Sequence, residues 1–236
     1  MLAVGKGGFG KVWKVQHRKT QRVWAMKEMS KAKVINKKSV SSVMNERTFL
    51  AKLQHPFLVN MNCAFQDREH LYLIMDYLDG GDLRYHIGNR QFFSERETKF
   101  FVANIVLALE YMHRSRIIHR DLKPENLVFD SQGYLRLTDL GISRELREDN
   151  YHDTSGTPGY MAPEVMNRQT HTYAVDFFAL GVIAYELMLA KRPYMGANRK
   201  EIKEAMLSRQ AGVRVDQLPF RWSPHVLDFI NRVYLG

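Results

Sequence analysis

Apolar and polar positions alternate in KVWKVQH and again in RVWAMKEM, and the polar RKTQ between them predicts a β-hairpin across Val12 to Met29. From Lys38 to Leu53 the period lengthens: Val40, Val43, Phe49, Leu50 and Leu53 share one helical face. FLVNMNCAF and LYLIMDYL then predict two more strands. Little room is left for a strand ahead of the glycine-rich turn near the start. After Gly80 and Gly81 the character changes. Ser94 with Glu97 three residues on forms a capping box, and Val102, Ile105, Leu109 and Met112 make an apolar stripe. Asn198 is expected to open a short helix, and Ser223 with Pro224 to supply the N-cap and first residue of another. The pattern is α+β: a small β-rich lobe with one main helix, then a larger, mainly helical lobe. No internal repeat or low-complexity stretch interrupts it.

The chain has 236 residues, a length that fits one domain or two small lobes. Its net charge of +10 admits a nucleic acid, an anionic membrane surface, or an ATP-handling site beside a solvated lysine face. The densest basic cluster, KAKVINKK from Lys31 to Lys38, has no interleaved aromatics, so it is read as a solvated face and no nucleic acid partner is expected. The apolar run Phe177 to Ala190 is too short to cross a bilayer and is interrupted by Glu186, which makes it a core helix. A single cysteine, Cys63, excludes an internal disulfide and fits a reducing, cytoplasmic setting, with nuclear or peripheral membrane association left open. Cys63 itself is expected to be a buried, small apolar residue. The start, MLAVGKGGFG, enters the glycine turn so early that the chain is expected to be cut from something longer.

Several polar groups need a chemical explanation. Gly5, Gly7 and Gly10 form a G-x-G-x-x-G turn between two strands, not between a strand and a helix, which suits a lid over nucleotide phosphates. Lys27 lies in a strand as WAMK, and Glu46 lies on the next helix where it can hold that ammonium. His119-Arg120-Asp121-Leu122-Lys123-Pro124-Glu125-Asn126 packs many polar groups between Ile117-Ile118 and Leu127-Val128-Phe129. The strand Leu135 to Leu137 then leads to Asp139-Leu140-Gly141, a carboxylate suited to Mg²⁺, with Asn126 suited to a second ion.

In this order, with GTPGYMAPE closing the series at Glu164, the motifs resemble those of a eukaryotic protein kinase catalytic domain over essentially the whole chain. HRDLKPEN and GTPGY resemble the serine/threonine type. The overall pattern resembles the AGC group: HPFLVN and GGDLRYH are similar to its YANK branch, and GGFG, DLG and GYMAPEV to its receptor-kinase branch. The resemblance implies a bilobal fold with an N-lobe over 1–75, a hinge over 76–81 and a C-lobe over 82–236 that stops short of the usual end. It implies ATP and Mg²⁺ as cofactors. Asp121 would orient the substrate hydroxyl, Lys123 would neutralise the γ-phosphate, and Asn126 and Asp139 would hold the metal. Met75 would be the gatekeeper and Asp76 to Leu78 the hinge. Val12, Ala25 and Val128 would sandwich the adenine, and Asp82 would reach the ribose. Leu50, Met61, His119 and Leu140 would form a spine anchored by Asp176. Glu164 would lack the arginine that normally pairs with it.

Two further expectations concern regulation and substrate. Asp153 falls where related loops carry a phosphothreonine, and Arg120 and Arg144 are the groups that would receive it. Either Asp153 is a built-in latch, or Thr154 or Ser155 takes a phosphate. Asp82, Glu125 and Glu186 match positions facing upstream arginines in basophilic relatives, and Thr157 belongs to the same peptide-facing segment. Hence the expected partner is a protein Ser or Thr preceded by basic residues, acted on by a monomer. A pseudokinase or nucleotide-binding scaffold is the alternative, and a small-molecule kinase is disfavoured by the complete GTPGYMAPE segment.

Overall fold

The computed structural model describes residues 1–90, 92–208 and 222–235. Five strands, β1 (Leu2–Lys6), β2 (Gly10–Gln16), β3 (Val23–Ser30), β4 (Met61–Gln66) and β5 (His70–Asp76), form one antiparallel sheet in the order β1-β2-β3-β5-β4. The strand that the sequence left little room for is therefore present. An edge strand needs one hydrogen-bonded neighbour, and five residues with an irregularity between Ala3 and Gly5 suffice to pair with β2. Central β3 buries Ala25, Met26 and Met29 and sets Lys27 opposite Val12 on one side and Leu73 on the other.

Cys63 is exposed, contrary to expectation. It lies on β4 at the sheet edge, where apolar composition does not by itself buy burial. The KAKVINKK stretch is a helix, α1 (Lys31–Asn36), capped by the Ser30 side chain and docked through buried Val34. One apolar anchor among lysines is enough to seat it. Helix α2 (Val40–Lys52) turns Val43, Glu46, Phe49 and Leu50 inward and leaves Val40 exposed.

Residues 77–82 link the sheet to α3 (Leu83–Asn89). Gly80 donates to the Phe129 carbonyl at 3.0 Å and Phe129 donates back to Gly81 at 2.9 Å. Any Cβ at Gly80 would collide with Phe129, so the close approach that pins this link requires glycine. The second lobe follows: α4 (Glu95–Arg114), short strands β6 (Ile117–Ile118), β7 (Leu127–Phe129), β8 (Leu135–Leu137) and β9 (Arg144–Glu145), then α5 (Pro163–Met166), α6 (Ala174–Leu189), α7 (Arg199–Ser208) and α8 (His225–Leu235). The capping box of Ser94 and Glu97 forms as the pattern predicts. Asn198 caps α7 by accepting from the Glu201 N–H at 3.0 Å.

Helix α6 is the pillar of this lobe, with Leu180, Val182, Ile183 and Leu187 fully buried. Each such side chain contributes about 1.5–3 kcal/mol of transfer free energy. Its Ala184, Tyr185 and Met188 pack against Val226, Leu227 and Ile230 of α8. Ser223 stands two residues before α8 begins at His225. Its hydroxyl and N–H both donate to Glu95, at 2.7 and 2.6 Å, and these charge-assisted bonds tie the entry of α8 to the start of α4.

Candidate active site

Between the two lobes lies a cleft of about 590 Å³. Gly5, Gly7, Val12, Ala25, Lys27, Met75, Asp76, Leu78, Asp82 and Val128 all line it, as do Asn126 and Asp139. Gly10 lines an adjoining hollow beneath the glycine turn, together with Lys27 and Asp139. A side chain at Gly10 would strike the Glu28 carbonyl across the β2–β3 ladder. A second hollow of about 580 Å³, on the outer side of the hinge around Arg22, Asn60 and Arg136, holds none of the catalytic groups.

Lys27 and Glu46 meet with Nζ 2.6 Å from Oε1. Burial pushes the Lys27 ammonium toward neutrality, yet the charges of Glu46 and Asp139 outweigh it and raise its pKa, so the amine stays protonated. Sequence reasoning did not find Lys37, whose Nζ donates to the Gly8 carbonyl at 2.9 Å and lies over the Phe9 ring. Only a contact across 29 residues reveals that it steadies the glycine turn.

The catalytic loop hangs from Asp176, which is fully buried on α6 and accepts from the His119 N–H at 2.9 Å and the Arg120 N–H at 2.8 Å. His113 on α4 adds a contact at 2.8 Å that the sequence reading did not include. Burial raises the Asp176 pKa, but these partners together with the nearby His119 overcome it and hold the carboxyl below its usual value. Arg120 (φ +71°) and Asp139 (φ +63°) both occupy the left-handed region, a strain the surrounding bonds must enforce. Leu50, His119 and Leu140 are buried and Met61 packs against the same core, so the expected spine positions are all interior.

Asp121 sits in a compact polar ring. Its Oδ2 lies 2.7 Å from Lys123 Nζ and 3.2 Å from Asn126 Nδ2, and its Oδ1 accepts from the Thr157 hydroxyl at 2.7 Å. Lys123 also donates to the Thr157 hydroxyl at 2.9 Å. Asn126 spends its amide donors on the Asp121 carbonyl and carboxylate, which leaves its amide oxygen as an acceptor in the cleft. Asp139 gives one oxygen to the Gly141 N–H at 3.2 Å and keeps the other. Two oxygen ligands fit a Mg²⁺ ion whose remaining positions go to phosphate and water. Among the described residues no cluster of three or more His, Cys, Asp or Glu forms a separate metal cage.

Arg120 is enclosed and reaches Asp153, with Nη1 2.9 Å from Oδ2. The carboxylate lies off the N–H direction, so this is a contact of charge more than an aligned hydrogen bond. The Nε and Nη2 groups both donate to the Ile142 carbonyl. Burial lowers the Arg120 pKa; Asp153 opposes that effect, and the neighbouring charge of Arg144 adds to it. Arg144 was expected to share the acidic group, but it donates to the Ser143 carbonyl at 2.9 Å instead. Thr154 is half-buried and Ser155 exposed.

Of the three acids expected to receive a substrate arginine, Glu125 and Glu186 are bridged by an arginine of the chain itself. Arg84, three residues after Gly81, donates from Nε to Glu125 at 2.9 Å and from Nη1 to Glu186 at 2.8 Å. Tyr160 donates its hydroxyl to Glu186 at 2.5 Å and itself accepts from Arg84. Asp82 caps α3 by accepting from the Tyr85 N–H at 2.7 Å while also lining the cleft. Glu164 was expected to be a buried orphan; it is only half-buried at the start of α5, so solvent meets part of its charge.

The two lobes enclose one polar site, and the comparisons identify the family. A model of the protein kinase domain matches residues 2–234, and the chain belongs to that family. It is 45% identical over 210 residues to a "Probable serine/threonine-protein kinase" of Dictyostelium discoideum, covering 88% of this chain and 46% of that protein. It is 39% identical to serine/threonine-protein kinase Sgk1 of Bos taurus over 239 residues, covering 100% of this chain and 53% of the relative. With sgk-1 of Caenorhabditis elegans the figures are 38% identity, 89% and 46%. The chain spans about half the length of the curated relatives it matches.

Proposed function

We propose that this chain transfers the γ-phosphoryl group of ATP to serine or threonine hydroxyls of protein substrates. The observation that carries the proposal is the simultaneous assembly of two sets of groups: Lys27 on Glu46 above the cleft, and Asp121, Lys123 and Thr157 joined below it. Both are needed for phosphoryl transfer, where positioning and charge stabilisation supply most of the catalysis. Magnesium would neutralise phosphate charge at the oxygens of Asn126 and Asp139. Lys27 would hold the α- and β-phosphates. Asp121 accepts the hydroxyl proton as the new P–O bond forms and the bond to the β-phosphate breaks, with ADP as leaving group. Lys123 offsets the negative charge on the transferred group.

Asp153 supports a loop that is set without phosphorylation, since its carboxylate already meets Arg120. A carboxylate brings one charge, whereas a phosphate brings about −1.5 to −2 and three acceptor oxygens, so the latch is weak. No helix among the described residues is long and apolar enough to cross a membrane. We place the chain in the cytoplasm, on the support of its lone cysteine, and take a monomer as the acting unit.

The test is Mg²⁺-dependent transfer from labelled ATP to a degenerate serine/threonine peptide library, with phosphatase-treated protein checked by intact mass. Transfer is expected. If ATP raises the melting temperature and no peptide is labelled, the chain is a nucleotide-binding scaffold and the proposal fails.

A further inference from the structure

The wall beside Asp121 carries a resident guanidinium. Arg84 spans from Glu125, which lines the nucleotide cleft, to Glu186 and Tyr160. Tyr160 in turn lines a small hollow with Asp121 and Thr157, so this wall borders the place an acceptor hydroxyl must reach. Glu186 is almost fully enclosed, and both its oxygens are engaged, one by Arg84 and the other by Arg84 and Tyr160. A second guanidinium, that of Arg192, lies over the Tyr160 ring at 5.8 Å from its centroid. Two arginines and two glutamates leave this wall formally neutral. Without Arg84 and Arg192 it would carry two negative charges.

We propose that Arg84 occupies the subsite that Glu125 and Glu186 would otherwise offer to a substrate arginine, so that the kinase selects acceptor segments with an uncharged side chain there. The inference rests on the kinase reading above. An incoming arginine could reach Glu186 only by displacing Arg84, which is held by three sets of charge-assisted bonds already formed within the fold and costs no binding entropy. Specificity of this kind works by exclusion: the receptor exists, and an internal side chain fills it. Arg84 is a positioning residue in this account, since it sets the charge of the wall and touches none of the reacting atoms.

The experiment is a positional peptide library in which arginine is compared with alanine at each position upstream of the acceptor serine. The ratio of the two is the readout, so a general change in activity cancels. For the native protein the ratio is expected to fall below unity at the position that faces Glu186 and to stay within about threefold of unity elsewhere. Arg84→Ala is expected to raise it by about tenfold or more at one position, the gain of a hydrogen-bonded charge pair. A native ratio of tenfold or more at any upstream position overturns the proposal even if the variant does not fold. A folded variant, shown by its melting curve, whose ratios equal those of the native protein overturns it as well. Absence of all peptide labelling overturns the kinase reading itself and the inference with it, and is distinguished by the missing label on alanine peptides.

Discussion

Two of the ion pairs at the site, Lys27 with Glu46 and Arg120 with Asp153, differ in enclosure. Lys27 and Glu46 meet at 2.6 Å with side-chain exposures of 22% and 6%. Arg120 and Asp153 meet at 2.9 Å with 3% and 41%. In the first, both charges are sheltered, and Glu46 together with Asp139 keeps the Lys27 ammonium charged against its burial. In the second, the arginine is enclosed but its acid stands in water, and the contact is poorly aligned. Enclosure makes the first joint a fixed part of the machine and leaves the second loosely set. A sheltered pair resists salt and tolerates no loss of a partner, whereas a half-exposed pair adjusts at small cost.

The largest effect lies where neither pair reaches. Asp121→Asn removes the group that takes the proton, and kcat is expected to fall by about 10²- to 10⁴-fold with the fold intact, measured by steady-state transfer and a melting curve. An unchanged kcat would show that the ring around Thr157 is structural.

Next comes the most enclosed acid among the described residues. Asp176→Ala strips the His119 and Arg120 amides and His113 of their acceptor, and about 3–5 kcal/mol of stability is expected to be lost in denaturant unfolding. A loss under about 1 kcal/mol would mean that water replaces the carboxylate and that the hub is not sealed.

The two pairs themselves are compared by neutral, similarly shaped variants. Glu46→Gln is expected to lower kcat/KM by about 10- to 150-fold, the worth of a hydrogen bond to a charged group, with little change between low and high salt. Asp153→Asn is expected to lower it by about fivefold at most, and raising the salt should erase much of that difference. Equal losses for the two variants would break the contrast. A larger loss for Asp153→Asn would instead make that carboxylate the main determinant of loop setting.

How much of this was legible in the sequence depends on range. The glycine turn, Lys27, Glu46, the Asp121 loop and Asp139 are marked by residue type at short spacing within elements whose periodicity is clear, and Lys27, Glu46, Asn126 and Asp139 converge on one cleft with Gly5 and Gly7. The capping box at Ser94 and the buried face of α2 follow from local rules in the same way. What periodicity does not carry is which distant group arrives next to a given charge. Arg84 meets Glu186 across 102 residues and His113 meets Asp176 across 63, and neither arginine nor histidine is distinguished by its neighbours in the chain. The position of a strand within its sheet is equally silent: β4 has an apolar composition, but lies at an edge, and Cys63 is exposed with it.

The smallest expected effect extends the scale of enclosure away from the site. Glu95 holds both polar groups of Ser223 and the Lys99 ammonium, at 2.7 Å in the last case. Burial raises its pKa, but Lys99 and Ser223 overcome this and bring it down to about 2. A carboxyl lowered in the folded state stabilises that state above its unfolded value, 4.5, and the contribution disappears as pH falls toward about 2. Between those limits α8 should loosen from α4, and Trp222, which packs against the α6–α8 contact, offers a fluorescent probe beside Ser223. Glu95→Gln should show the loosened signal already at neutral pH and lose the acid-dependent step, while kcat stays near its native value because the site's own pairs are untouched. If the step persists in that variant, another group controls the docking of α8, and enclosure at this distance from the cleft has no bearing on Glu95.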